Sequence, residues 1–177
     1  MHLSFQIHLS SLDTFVAHWS AAYAEKPDEA DERYLENIGK PLTHQSLTEL
    51  FKWKNGTEIS KRKMESITKN YPLSFTGDQK DRYLNPKMQG GAIWNIFYLH
   101  CLDSDRWPIF DQHTFRAMNY LRHETNLDIP PSNKQKYNVY ENEYIPFYNS
   151  ISTEPHRNKD RALFAFGQFL KIAKRYA

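Results

Sequence analysis

Between Leu84 and Leu121 the chain gathers the residues best placed to do chemistry: L-N-P-K-M-Q-G-G-A-I-W-N-I-F-Y-L-H-C-L-D-S-D-R-W-P-I-F-D-Q-H-T-F-R-A-M-N-Y-L. Gly90-Gly91 leads into an apolar helix, a short polar loop follows, and Pro108-Ile109-Phe110-Asp111-Gln112-His113 opens a second helix with Arg116 one turn on. At a helix N-terminus Asp111 meets the dipole and the first amides, which keep a carboxylate ionised and in place. A carboxylate held this way stabilises a carbon that develops positive charge, or orients a water against it. The same residue type also caps helices with no chemistry, worth ~0.5–2 kcal/mol, and the two roles are compatible. His113 and Arg116 on the following turn suit an anion. A surface histidine and a salt-bridged arginine are the plain alternatives.

Other chemistries lack their residues. Eight histidines are present, but no H-E-x-x-H and no paired C-x-x-C, and His100-Cys101 has no second pair, so no metal is expected. Gly90-Gly91 is not followed by Gly-Lys-Ser/Thr and is not a nucleotide phosphate loop. The one cysteine, Cys101, rules out an intrachain disulfide and fits a reducing compartment. Within an apolar helix it reads as core filler ahead of nucleophile. No cofactor is expected.

The elements that position these residues read as mostly helical. Leu3, Phe5, Ile7 and Leu9 alternate with polar residues, the period of a half-buried strand. Phe15, Val16, Trp19, Ala22 and Tyr23 follow helical spacing, with Ser11 or Asp13 as the N-terminal signal. Leu47, Leu50 and Phe51 form another stripe, ended by Asn55-Gly56. Ile59, Met64 and Ile67 suggest a short helix stopped at Tyr71-Pro72. The stretch from Ser74 to Lys87 is turn-rich, a helix is expected around Ile93 to Leu102, and Phe115, Met118 and Leu121 mark the next, broken before Pro130-Pro131. An aromatic stripe from Tyr137 to Tyr148 contains Pro146, which should kink or divide its helix. The last helix carries Leu163, Phe166, Leu170 and Ala173 on one side.

The chain has 177 residues, 40% hydrophobic and 25% charged, with net charge +2, an ordinary globular composition. A core of that size buries roughly 70% of the unfolded surface without metals or disulfides. Charge is segregated. Seven acids face three bases between Tyr23 and Leu50, nine bases face four acids between Phe51 and Gly90, and six bases face one acid from Pro155 onward. Each basic segment is a candidate polyanion footprint, or else a solvated face. The apolar run from Ala92 to Leu102 is too short for a membrane span. With no basic-then-apolar leader at the start, a cytoplasmic protein without membrane contact is expected.

In the Leu84–Leu121 segment, little more than a fifth of the chain, the sequence resembles the helix-hairpin-helix DNA glycosylase superfamily, most nearly its 8-oxoguanine glycosylase branch. In that family the hairpin ends in a Gly-rich turn, its second helix is apolar, and a segment of Pro-x-Asp-x-His type begins the helix with the catalytic aspartate. An ungapped match places Gly90 on the hairpin's second glycine and Asn95, Leu99, Leu102 and Asp103 on similar residues. It places Asp111 on the catalytic aspartate and His113 on the histidine two beyond. Met88 stands in place of the first glycine, and Ala92 in place of the Schiff-base lysine of bifunctional members.

The resemblance implies a single, compact, mainly α-helical domain over 1–177 with its hairpin-like core at about 84–121. It implies a DNA partner, a duplex with one nucleotide flipped out. Asp111 would hydrolyse the glycosidic bond of a modified or damaged base, and strand scission through a lysine would be absent. Gly90, Gly91, His113, Arg116, Lys52, Lys54 and Lys87 are the expected DNA contacts. Trp53, Trp94, Phe110 and Gln112 are the candidate walls for an everted base. Two other readings stand beside this one. Arg116 and His123, six residues apart between them, are similar to the R-x4-6-H pattern of HEPN ribonucleases, without the Asn that follows the Arg there. A non-catalytic nucleic-acid or protein-binding module on the same frame is the third.

Overall fold

The computed structural model describes residues 11–23, 29–74, 78–87, 90–152 and 155–175. The strand expected over Leu3 to Leu9 lies outside the described residues. Within them the protein is mainly α-helical and contains no strand. The helices are α1 (Leu12–Ala21), α2 (Glu29–Asn37), α3 (His44–Asn55), α4 (Lys61–Asn70), α5 (Gln79–Tyr83), α6 (Ala92–Leu102), α7 (Gln112–His123), α8 (Asn133–Val139), α9 (Ile145–Ser150) and α10 (His156–Ala173). A π-helical turn, Tyr140–Tyr144, joins α8 to α9. Among the described residues no helix is long and apolar enough to cross a membrane.

Local signals set many of the boundaries. The Ser11 side chain accepts from the Thr14 amide and starts α1. Thr43 and Ser46 form a reciprocal capping box at α3, which ends on Gly56 in the left-handed region at φ 72°, where glycine carries no Cβ penalty. α4 stops at Tyr71-Pro72 as expected. The break in the aromatic stripe falls ahead of Pro146, at the π-turn. Pro146 itself occupies the first turn of α9, where a missing N–H leaves no hydrogen bond unmade.

The described residues form two compact units. One is split in sequence, drawn from Met1–Ala24 and Pro108–Ala177; the other is continuous, Glu25–Trp107. The segment resembling the glycosylase hairpin is thereby shared, with α6 in the continuous unit and α7 in the split one. α10 is the spine of the split unit. Its Leu163 and Phe166 are fully buried with Phe15 and Val16 of α1 and Met118 of α7, each such side chain contributing about 1.5–3 kcal/mol. α6 is the spine of the continuous unit, buried without interruption from Asn95 to Cys101. That is the pattern of a helix surrounded by its own core.

Candidate active site

The N-terminus of α7 is built around Asp111. Its Oδ1 accepts from the His113 amide at 2.8 Å and the Thr114 amide at 3.1 Å, while the Asp111 amide donates to Thr114 Oγ1 at 2.9 Å. This reciprocal box fixes a carboxylate that is half-buried. The residues ahead of it are fixed from behind. Tyr140 Oη donates to the Pro108 carbonyl at 3.0 Å and Tyr144 Oη to the Ile109 carbonyl at 2.8 Å. Burial, and then the Asp160 carboxylate, push both phenols well above their ordinary pKa, so they remain neutral donors. The π-turn sets these two rings side by side, 6.0 Å between centroids and 23° between planes. π-turns recur at functional sites.

Phe110 is a correction. It is 1% exposed, with Tyr140 at 5.3 Å, Tyr144 at 5.0 Å and Phe115 at 6.3 Å between centroids. It is core filler behind Asp111, not a wall open to a base. Arg116 is a second correction. It is 3% exposed, and it donates from Nη1 to the Gly167 carbonyl at 3.3 Å and from Nη2 to Asp128 Oδ1 at 3.0 Å. Lys174 Nζ holds the other Asp128 oxygen at 3.0 Å. Arg116 braces α7 against α10 and offers no surface to a phosphate. The ribonuclease reading loses its arginine by the same fact, although His123 is exposed.

His113 is half-buried with its ring edge-on to Phe164, 4.9 Å between centroids. Its Nδ1 is buried, and the Gly167 backbone lies beside the ring. Burial lowers its pKa, and the nearby Asp111 charge opposes that only in part. A neutral His113 meets an anion as a hydrogen-bond donor rather than a cation. Its backbone carbonyl faces Gly167 of α10 so closely that a Cβ there would collide with it. Gln112 is exposed beside it, Nε2 to Nε2 3.4 Å. Asp111, Gln112 and His113 thus share one turn, as the sequence suggests.

In the continuous unit, Gly90 has φ 94°, and a Cβ there would press on Tyr71 Oη at 3.0 Å and Asn95 Oδ1 at 3.1 Å. Those two atoms hydrogen-bond each other at 2.7 Å, so backbone conformation and packing both demand glycine. Gly91 starts α6 with no side-chain cap, and Ala92 behind it is 1% exposed. Trp94 is half-buried, stacked on Phe51 at 5.4 Å with Lys63 Nζ 4.2 Å from its own ring centroid. Trp53 is half-buried between Tyr34 at 4.5 Å and Phe97 at 6.0 Å. Phe51 and Phe97 link the two indoles into one aromatic series. Lys52 is engaged by Glu49 and Glu58 at 3.6 and 3.3 Å, Lys54 lies 5.8 Å from the Phe97 ring, and Lys87 is exposed.

His100 is a core histidine. Its Nδ1 is 2.7 Å from the Trp107 carbonyl, which can only accept. In the neutral ring the proton therefore sits on Nδ1, and Nε2 accepts from Tyr34 Oη at 2.7 Å. Burial pushes the Cys101 thiol up and leaves it inert. Among the described residues no group of His, Cys, Asp and Glu is arranged to hold a metal. Three clefts of about 440–550 Å³ lie within single units, the largest against Glu32, Glu36 and Glu49, and Asp111 lines none of these three. No protein-family model, no curated protein and no solved structure matches the chain.

Proposed function

We propose that the protein binds duplex DNA in the cytoplasm, turns one nucleotide out of the stack and hydrolyses its N-glycosidic bond, using Asp111 and no lysine. The observation that carries this reading is the half-buried carboxylate fixed by two backbone amides at the start of α7. Neutral Tyr140 and Tyr144 support it by holding the two carbonyls ahead of it. As the C1′–N bond breaks, its electron pair leaves with the base and positive charge develops on the sugar, where a fixed carboxylate stabilises it. Water then adds to C1′, and the proton it releases passes through the carboxylate to the departed base or to solvent. Ala92 supplies no amine, so no Schiff base forms and the strand stays intact until alkali cleaves it. The capping box favours a second reading, a binding module in which Asp111 serves the helix alone.

The test treats a panel of modified duplexes and single strands with the protein and then hot alkali. Cleavage at one type of modified base, with no borohydride-trapped protein–DNA adduct, is expected. Absence of abasic sites on every duplex overturns the enzymatic reading.

A further inference from the structure

We infer that the outward face of α4, in the continuous unit, is a docking surface for the phosphodiester backbone of a nucleic-acid strand. The inference deepens the reading above and rests on it for the identity of the partner. Arg62, Ser66 and Lys69 are spaced four and three residues apart. At 3.6 residues per turn they form one stripe, with Lys61 beside Arg62 in the first turn. All four are exposed. Ile67, the buried residue of the helix, faces away from them.

The three cations are available. Among the described residues no ion pair, side-chain hydrogen bond or ring contact engages Lys61, Arg62 or Lys69. Other bases of this unit are used elsewhere and are not counted. Lys63 Nζ donates to Asn55 Oδ1 at 2.9 Å and stands 4.2 Å from the Trp94 centroid, and Lys52 is paired with Glu49 and Glu58. Lys54 and Arg82 lie over the Phe97 and Tyr83 rings. Glu65 is the one carboxylate of α4, against three unengaged cations. Lys61, Arg62 and Lys63 also fill the first turn, where no acid balances the positive end of the dipole. Cations there destabilise the helix by itself, and an approaching phosphate relieves the repulsion.

A phosphate backbone needs cations and hydroxyl donors at a surface and nothing apolar. Ser66 supplies the hydroxyl between Arg62 and Lys69: its Oγ accepts from Asn70 Nδ2 at 3.2 Å and keeps its own proton to give. An acidic protein would match the charge, but its interface would need an apolar or aromatic anchor at the centre. An anionic membrane would need an outward apolar face. The exposed large apolar side chains among the described residues are Leu35, Leu127 and Ile172, none of them on α4. From Arg62 to Lys69 the stripe rises about 10 Å at 1.5 Å per residue, roughly the rise of three nucleotides of one strand. That span suits a contact with two or three phosphates.

The test is fluorescence anisotropy of a labelled mismatch-containing duplex against potassium chloride, with the full chain. Each phosphate neutralised contributes about 0.9 to the slope of log affinity against log salt for a duplex. The double variant R62Q/K69Q should lower that slope by about 1.8. K61Q/R62Q should lower it as much while melting no earlier than the wild type, since it removes charge from the unfavourable end of the dipole. K40Q/K134Q, which removes two exposed lysines from other helices and loops, should leave the slope unchanged, and E65Q should tighten binding. A wild type that binds no duplex, an unchanged slope in both α4 variants, an equal fall in K40Q/K134Q, or weaker binding by E65Q overturns the inference. So does binding to phosphatidylserine vesicles or to polyglutamate but not to DNA. Abasic sites formed with an unchanged slope would leave the Asp111 reading standing and remove this one. A slope that depends on α4, with no abasic sites on any duplex, would do the reverse.

Discussion

The two units solve the problem of buried polarity in different ways. Apart from Asp31, the continuous unit pairs uncharged side-chain groups: Tyr71 with Asn95, Tyr34 with His100, and Tyr98 with the Pro72 carbonyl. The split unit buries Arg116, Lys159 and Asp160, each less than 5% exposed. Removing an ion from water costs several kcal/mol before any partner offsets it. All three charges lie on α7 and α10. Stability in the split unit is therefore tied to charge, and in the continuous unit to neutral hydrogen bonds. That difference can be broken or sharpened by mutation.

The largest expected effect is at the α7–α10 crossing. Gly167→Ala forces a methyl group into the His113 carbonyl, and with backbone on both sides a loss of about 3 kcal/mol is expected in chemical denaturation. Asp128→Asn leaves the Arg116 guanidinium buried against a weaker partner, a loss of about 2 kcal/mol. Adding Arg116→Met should recover part of it, because no charge is then left stranded. A double variant worse than the single would show that Arg116 does not depend on Asp128. Tyr71→Phe removes one neutral bond from the continuous unit, with a loss of about 1 kcal/mol that should be indifferent to salt.

The smallest effect is one of pH. His113 has a lowered pKa because burial penalises its charged form. Its contribution is complete above the ordinary histidine value of 6.5 and is lost as pH falls through the lowered one. Protection of the α7 amides, taken as the exchange rate relative to the intrinsic rate at each pH, should fall over that interval in the wild type and lose the step in His113→Gln.

Much of this was legible in the sequence, because it depends on neighbours in the chain. Ser11, Asn55-Gly56, Tyr71-Pro72 and the Asp111 turn act within a few residues of themselves. What depends on distant partners was not. Phe110 and Arg116 look available until Tyr140, Tyr144, Asp128 and Gly167 close on them. α2 was missed because its pattern is acidic, with Tyr34 as its buried aromatic, and α5 is too short to display a period. The charges of α10 were visible as net charge. That Lys159 and Lys174 are held by the Ile151 carbonyl and Asp128 was not, because both partners lie outside that helix.

Asp111→Asn tests the central claim most directly, since asparagine caps a helix as well as aspartate does but brings no negative charge to a sugar cation. Abasic-site yield is measured beside thermal melting, on the duplex that the wild type processes. A variant that melts within a degree or two of the wild type, binds the duplex and forms no abasic sites is the predicted result. Base release by the asparagine variant at the wild-type rate would contradict it and leave Asp111 as a cap alone.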